Sequence, residues 1–184
     1  MKKIFLTSLI FIAYQNLFAM PMSYEVNADK GKVHFKTKGW PNLINIHGEG
    51  KGAVGKVTIT DNKASGELSF ELGTLATGIE LRDEHMKTKY LEVEKHPTTS
   101  LKFEDVTLPN NLNGSASFSG RLKLHGVEKK VSGVAQISKT DKGLTLKAEL
   151  PIKLSDFKIE IPSYQGITVA EDVKIEFETE VSTI

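Results

Sequence analysis

Apolar and polar residues alternate with a period of two along most of this chain. The clearest run covers residues 173–181, VKIEFETEV, in which Val, Ile, Phe and Thr alternate with Lys and Glu. Residues 68–72 and 144–154 show the same alternation. Because such a strand has one apolar face and one solvated face, the pattern predicts antiparallel strands whose apolar faces share a core.

Turn-forming residues separate the alternating runs. The segments are TDNK at 60–63, NNLNG at 110–114, HGVEKK at 125–130 and TDKG at 140–143. Asn, Asp and Gly adopt the backbone conformations that tight turns need. Short strands joined by short turns favour an antiparallel barrel or sandwich over alternating βαβ units.

One segment has the features of a helix. Residues 84–91 follow Asp83, whose carboxylate is a suitable N-cap for the first free backbone amides. Met86 and Tyr90 are four residues apart and would share one face of that helix. A second short helix, or a loop, is expected at residues 161–169.

The N-terminus has the pattern of a secretory signal peptide. Two lysines precede a largely apolar run at residues 4–13, and Ala19 is a small residue suited to cleavage. The apolar run is about half of the ~20 residues that a membrane-spanning helix needs. We therefore expect residues 1–19 to direct export to the periplasm and residues 20–184 to form one domain.

Composition excludes several classes of protein. Once the two N-terminal lysines are removed, basic and acidic residues are nearly balanced, so nothing in the charge points to nucleic acid as a partner. The chain has no cysteine, which excludes disulfides, thiolate metal sites and a cysteine nucleophile. No G-x-S-x-G sequence supports a serine hydrolase.

Two patterns look like cofactor sites but lack the necessary context. Residues 50–55, GKGAVG, spell the G-x-G-x-x-G dinucleotide fingerprint, yet VTITDN follows where a helix must begin. A glycine-bent strand explains the motif better. His47 and Glu49 are two apart and could face one side of a strand. His85 and His96 could contribute, but no spacing matches a known metal template, so we predict no metal site and no cofactor.

The segment from Thr77 to Phe103 resembles the YceI-like family. It contains Thr-Gly, then Arg-Asp-x-His, a short helix-compatible run, His-Pro and a strand with Phe103. Three further blocks occur in the family's order. They are residues 32–48, KVHFKTKGWPNLINIHG, residues 120–131, GRLKLHGVEKKV, and residues 154–177 with Asp-Phe-x-Ile, Gly-Ile and Asp-Val-x-Ile-x-Phe. Members of this family are bacterial periplasmic, lipocalin-like barrels that bind polyisoprenoid-type lipids.

The resemblance implies an all-β, lipocalin-like antiparallel eight-stranded β-barrel with one or two short helices near its mouth. The interior of such a barrel holds one small ligand. Inward-facing residues expected to line it are Phe35, Ile46, Phe70, Leu72, Phe103, Phe118, Leu122, Phe157 and Ile159. Expected at the mouth are Trp40, Ile79, Met86, Tyr90 and Tyr164, with Arg82 and His85 as the polar residues. Each of the apolar residues could equally pack in the hydrophobic core without contacting a ligand.

Two departures from the family's pattern concern the mouth. Many members have paired aromatic residues where this chain has Tyr90-Leu91, and many have Asp-Phe-Gly where this chain has Asp156-Phe157-Lys158. The ligand of a relative therefore does not transfer directly to this chain.

Two functions agree with this interpretation. The first is a non-catalytic periplasmic carrier of a long-chain apolar lipid, such as a polyisoprenoid, an isoprenoid quinone or a fatty-amide-like molecule. The second is a barrel enzyme that acts on an isoprenoid-type lipid, with His85 as general acid–base. A chaperone, the third class, would need an exposed apolar patch or sheet edge. The resemblance is compatible with a homodimer, and a lipid cargo implies transient contact with a membrane.

Overall fold

The computed structural model describes residues 21–41, 44–141 and 143–183 of the chain. The strands are β1 (Met22–Val26), β2 (Gly31–Trp40), β3 (Ile44–Lys51), β4 (Val54–Thr60), β5 (Lys63–Glu71), β6 (Thr98–Thr107), β7 (Gly114–Leu124), β8 (Val127–Thr140), β9 (Gly143–Lys153), β10 (Ser163–Tyr164), β11 (Ile167–Val169) and β12 (Asp172–Thr183). One α-helix, α1 (Glu80–His85), continues into a π-helical turn at Met86–Tyr90. The predicted signal peptide lies outside the described residues.

The strands form a single antiparallel sheet. Their order is β1-β4-β5-β6-β7-β8-β9-β12-β2-β11-β10, and β3 pairs with β2. β1 also pairs with the last residues of β12, through Tyr24 and Glu25. Since β1 is hydrogen-bonded to β4 on one side and to β12 on the other, the sheet curves round on itself. The predicted all-β antiparallel architecture is confirmed.

The predicted number of eight strands is wrong, because the described residues form twelve. A turn of 3-10 helix at Ala28–Lys30 separates β1 from β2. The buried residues Gly52 and Ala53 separate β3 from β4. A Cβ atom on Gly52 would lie 2.8 Å from the Ala28 carbonyl oxygen, so this break needs glycine. The G-x-G-x-x-G sequence therefore joins two strands, and no helix follows it.

The alternating pattern places one face of each strand in the core. In β9, Leu144, Leu150 and Ile152 are buried, whereas Lys147 and Glu149 are exposed. β12 follows the same rule from Val173 onwards, as its sequence predicted. Burial of these apolar faces supplies most of the driving force for folding.

Four connections meet at one end of the sheet. They are the β2–β3 turn, the β5–β6 connection that carries α1, the β7–β8 turn and the β9–β12 connection that carries β10 and β11. Antiparallel pairing brings them together, since Glu71 at the end of β5 pairs with Thr98, and Lys153 at the end of β9 pairs with Asp172. We call this the α1 end.

The helix near the mouth is present, but its start was predicted incorrectly. α1 begins at Glu80, with Ile79 at the N-cap position, and Asp83 lies inside the helix. The Asp83 carboxylate instead reaches back to Thr77, accepting hydrogen bonds from its backbone N–H at 2.7 Å and its Oγ1 at 2.5 Å. This contact ties α1 to the preceding loop. None of the described helices is long and apolar enough to span a membrane.

For residues 161–169, where a short helix or a loop was expected, the helix alternative is wrong. The segment is a small hairpin in which Ser163 pairs with Thr168 and Tyr164 with Ile167. Its two turn residues, Gln165 and Gly166, both have left-handed φ angles, 48° and 79°, which suit a two-residue hairpin turn. β11 in turn extends the sheet beside the end of β2.

Candidate functional site

The curved sheet surrounds a cavity of about 630 Å³. Side chains from all twelve strands, from α1 and from the π-helical turn line it, and the lining is almost entirely apolar. Sites for small ligands and cofactors usually occupy about 300–1,000 Å³ and have mainly apolar walls. The cavity is therefore large enough for a ligand, and its chemistry suits an apolar one.

Most of the residues predicted from sequence to bind a ligand lie in the lining of this cavity. They are Phe35, Ile46, Phe70, Leu72, Ile79, Arg82, His85, Met86, Tyr90, Phe103, Phe118, Leu122, Ile159 and Tyr164. Their position agrees with the expected arrangement, and their contact with a ligand stays a prediction.

Phe157, which was expected in the lining, and Trp40, which was expected at the mouth, are not among the residues that line the cavity. Trp40 is 62% exposed on the outside of the α1 end, next to Thr168 of β11. Phe157 is 1% exposed and lies in the 3-10 turn Ser155–Phe157, packed in the core but not facing the cavity. Phe157 leaves the strand alternation because the chain turns immediately after β9.

Many other residues that line the cavity were not predicted from the sequence. They include Tyr24, Val26, Val33, Leu101, Leu150, Ile152, Val173, Ile175 and Phe177. Most occupy the apolar positions of alternating runs, so the alternation identified the face of the strand without showing that a space lies in front of it.

Two glycines of β3 make room for aromatic rings in the cavity wall. A side chain at Gly48 would overlap the ring of Phe35, and a Cβ atom on Gly50 would lie 2.8 Å from the ring of Phe70. The absence of side chains at these positions lets both rings approach the backbone of β3 closely.

The polar part of the lining is concentrated at the α1 end. Arg82 and His85, one turn apart on α1, both line the cavity. The His85 ring makes an edge contact with the Tyr164 ring, whose centroid is 5.9 Å away. Within the described residues, no acidic side chain lies within 4.0 Å of the Arg82 or His85 nitrogens. The mouth thus carries a cation that is available to a ligand.

Asp83 ties α1, the helix that carries Arg82 and His85, to the preceding loop. Partial burial acts to raise the pKa of its carboxyl group, but the hydrogen bonds from Thr77 and the charge of Lys87 outweigh that effect and hold the pKa below its usual value. Asp83 is therefore ionised at neutral pH. Its carboxylate is bound to the Thr77 loop, so it serves as an anchor for the helix.

Several large apolar side chains are exposed around the mouth. Ile44, Ile79, Leu81 and Tyr164 are all more than 40% exposed and also line the cavity, which shows that the cavity opens to solvent here. Trp40 lies beside them on β2. An apolar rim around an apolar cavity offers a continuous path for a hydrophobic molecule.

Comparisons with known proteins agree with this arrangement. Residues 24–181 match the model of the YceI-like domain family. A search of curated proteins found no match.

Solved structures also share the fold. BcnA from Burkholderia cenocepacia superposes with a TM-score of 0.72 at 19% identity, covering 86% of this chain and 99% of that chain. A polyisoprenoid binding domain from Saccharophagus degradans has a TM-score of 0.68 at 14% identity, covering 89% of this chain and 99% of that chain. The Campylobacter jejuni YCEI protein has a TM-score of 0.59 at 16% identity, covering 100% of this chain and 99% of that chain. The family match spans nearly all of the described residues and the fold agrees with it, so this chain belongs to the YceI-like family.

Proposed function

We propose that this protein binds a long-chain apolar lipid of the polyisoprenoid type inside its cavity and carries it through the periplasm without chemical change. The observation that carries the proposal is the apolar cavity of about 630 Å³ that opens at the α1 end. Its family and the structural relative described as a polyisoprenoid binding domain support the choice of ligand class.

The size of the cavity limits how much of a chain it can hold. At roughly 30 Å³ for a group the size of water, the cavity accepts about 20 methyl or methylene groups, which corresponds to about four isoprene units. Each buried methylene contributes about 0.8 kcal/mol. Ordering the chain and losing its free motion offset much of that gain, which leaves binding in the micromolar range or tighter.

Arg82 is the residue that we expect to contact the polar end of the ligand. It lines the cavity beside the exposed rim, and its guanidinium group has no acidic partner within the part of the chain that the structure describes. A guanidinium group binds phosphate and carboxylate oxygens through paired hydrogen bonds. The lipid would therefore enter tail first, with its polar end at the α1 end.

The alternative is an enzyme that uses His85 as general acid–base. His85 does line the cavity, so it could reach a ligand. General acid–base catalysis usually places a second polar group within hydrogen-bonding distance of the histidine. The His85 ring packs against the Tyr164 ring with their centroids 5.9 Å apart, and its nitrogens form no hydrogen bond or ion pair within the described residues, an arrangement that favours a carrier.

Two substitutions test whether lipid binding depends on the apolar lining or on His85. His85→Ala is expected to leave the amount of bound lipid nearly unchanged, because the lining remains apolar. Phe103→Asp is expected to abolish binding, because its carboxylate would lie in an apolar cavity where an unpaired charge is very costly. Native mass spectrometry of protein purified from the periplasm without detergent, followed by lipid extraction, measures both effects.

The matched control is Phe103→Leu, which keeps the position apolar and should retain lipid. An empty wild-type protein that also fails to bind added polyprenols, quinones and fatty amides would contradict the proposal. Chemical conversion of the bound lipid that stops in His85→Ala would establish the enzyme instead.

We also propose that the apolar rim contacts a membrane while lipid is exchanged. Trp40→Ser is expected to slow lipid transfer from vesicles about tenfold, since a loss of ~1.4 kcal/mol of membrane contact changes a rate by one decade. Trp40 lies outside the cavity, so equilibrium affinity should not change. Stopped-flow transfer of a fluorescent polyprenol from anionic vesicles measures the rate.

Val134→Ser is the matched control for that experiment. Val134 is 49% exposed on the outer face of β8, away from the α1 end. If both variants transfer lipid as fast as the wild type, the rim does not act in exchange.

The homodimer stays a prediction of the family resemblance.

A further inference from the structure

Three side chains with metal-binding groups meet at the α1 end, outside the lining of the cavity. Glu92 and His96 belong to the segment between the π-helical turn and β6, and His125 belongs to the β7–β8 turn. Their ligand atoms all lie within 4.8 Å of one another. β6 pairs with β7 next to these residues, through Ser100 and Lys123, which brings the two segments together.

The two acceptors that face the ring nitrogens of His125 require a proton or a metal ion at its Nε2. Its Nδ1 lies 3.1 Å from the carbonyl oxygen of Phe157, which can only accept a hydrogen bond, so Nδ1 donates and carries a proton. Its Nε2 lies 3.0 Å from Oε2 of Glu92, which also acts as an acceptor when ionised. A neutral imidazole has one proton and cannot donate at both nitrogens. A second proton or a metal ion must therefore lie between Nε2 and the carboxylate.

The second imidazole favours a metal ion over a proton. The His96 and His125 ring centroids are 4.8 Å apart, at an interplanar angle of 67°. Because the ligand atoms of all three residues lie within 4.8 Å of one another, a metal ion can accept a lone pair from each ring and from the carboxylate at once. Two imidazoles and one carboxylate form a common donor set for Zn²⁺ and related divalent ions.

The surroundings are those of a supported metal site. The hydrogen bond from Nδ1 of His125 to a backbone carbonyl is the usual way in which a ligating histidine is oriented with its Nε2 free. Lys95 forms an ion pair with Oε1 of Glu92, which leaves Oε2 for the ion. The His125 side chain is 12% exposed and that of Glu92 31%, so an ion from solvent can reach them.

We propose that Glu92, His96 and His125 bind one divalent transition-metal ion of the Zn²⁺ class. The ion would join the segment that follows α1 to the β7–β8 turn, and water would complete its coordination. Leu91, next to Glu92, lines the cavity. The bound ion therefore stabilises one side of the mouth, independently of which lipid the cavity holds.

Titration of the purified, EDTA-treated protein with ZnCl₂ against a chromophoric chelator tests this site. The wild type is expected to bind one Zn²⁺ per chain, and His96→Gln and His125→Asn are each expected to weaken binding by roughly tenfold or more. Asn is chosen at position 125 because it adopts the left-handed φ of 51° that this turn position requires. At the same Zn²⁺ concentration, the Tm of the wild type should rise more than that of the variants.

His47→Gln is the control for histidines at the surface, since His47 is exposed on β3, and it should bind Zn²⁺ as the wild type does. Absence of stoichiometric Zn²⁺ binding by the wild type would overturn the proposal and would leave a proton between His125 and Glu92. Equal affinity in the wild type and in the folded variants, checked by circular dichroism, would overturn it as well.

Discussion

Replacement of Ala135 by phenylalanine is expected to weaken binding of long-chain lipids roughly 100-fold while the protein remains folded. Ala135 pairs with Ala116 of β7 on one side and with Ala148 of β9 on the other, and all three residues line the cavity. Because these three adjacent side chains are small, they form a strip of the cavity wall that projects little into the cavity; we call it the strip. The space in front of the strip is part of the room that a lipid chain would occupy.

A phenylalanine at position 135 would project into that space. If its ring displaces about four methylene groups of a bound chain, the loss is ~3 kcal/mol, or roughly a 100-fold weaker affinity. The ring would enter an existing cavity, so the usual penalty for overpacking a filled core, about 1–3 kcal/mol, should be small here. Shorter chains that do not reach the strip should still bind.

Competition with a fluorescent lipid, using polyprenols of graded length, measures this change, and thermal melting checks the fold. Gln136→Phe is the matched control, because Gln136 is the next residue of β8 and is exposed on the outer face. An Ala135→Phe protein with unchanged affinity and unchanged preference for chain length would show that the lipid lies elsewhere.

The sequence was sufficient to predict the fold class because the alternating pattern is a local property. The run at 173–181 became β12, and the turn at 60–63 became the β4–β5 turn with Asp61 and Asn62 at left-handed φ angles. The number of strands depends on where a strand is interrupted. Gly52 interrupts one strand because its backbone approaches the Ala28 carbonyl, a contact between residues that the pattern alone does not connect.

The cavity was predicted less completely than the fold for a related reason. Alternation shows that Leu150 and Ile152 face inward, but it does not show whether they touch an opposite wall or an empty space. The cluster of Glu92, His96 and His125 is a further example. No spacing along the chain reveals it, because the pairing of β6 with β7 brings its two parts together.

Phe157→Ala is expected to reduce the free energy of unfolding by about 3–5 kcal/mol, the usual cost of removing a buried aromatic ring. Phe157 is 1% exposed, belongs to the buried core and does not border the cavity. Removing its ring would therefore leave an enclosed void with no solvent or ligand to fill it. Urea unfolding with linear extrapolation measures the change.

Phe103→Ala is the matched comparison, because it removes the same atoms from a different environment. Phe103 is half-buried and borders the cavity, so its loss enlarges a space that already exists and should cost clearly less stability. Ligand affinity should show the opposite order, with Phe103→Ala altering it and Phe157→Ala leaving it unchanged. Equal losses of stability in the two variants would mean that Phe103 supports the fold as much as Phe157 does. The separation of core from cavity wall would then be wrong.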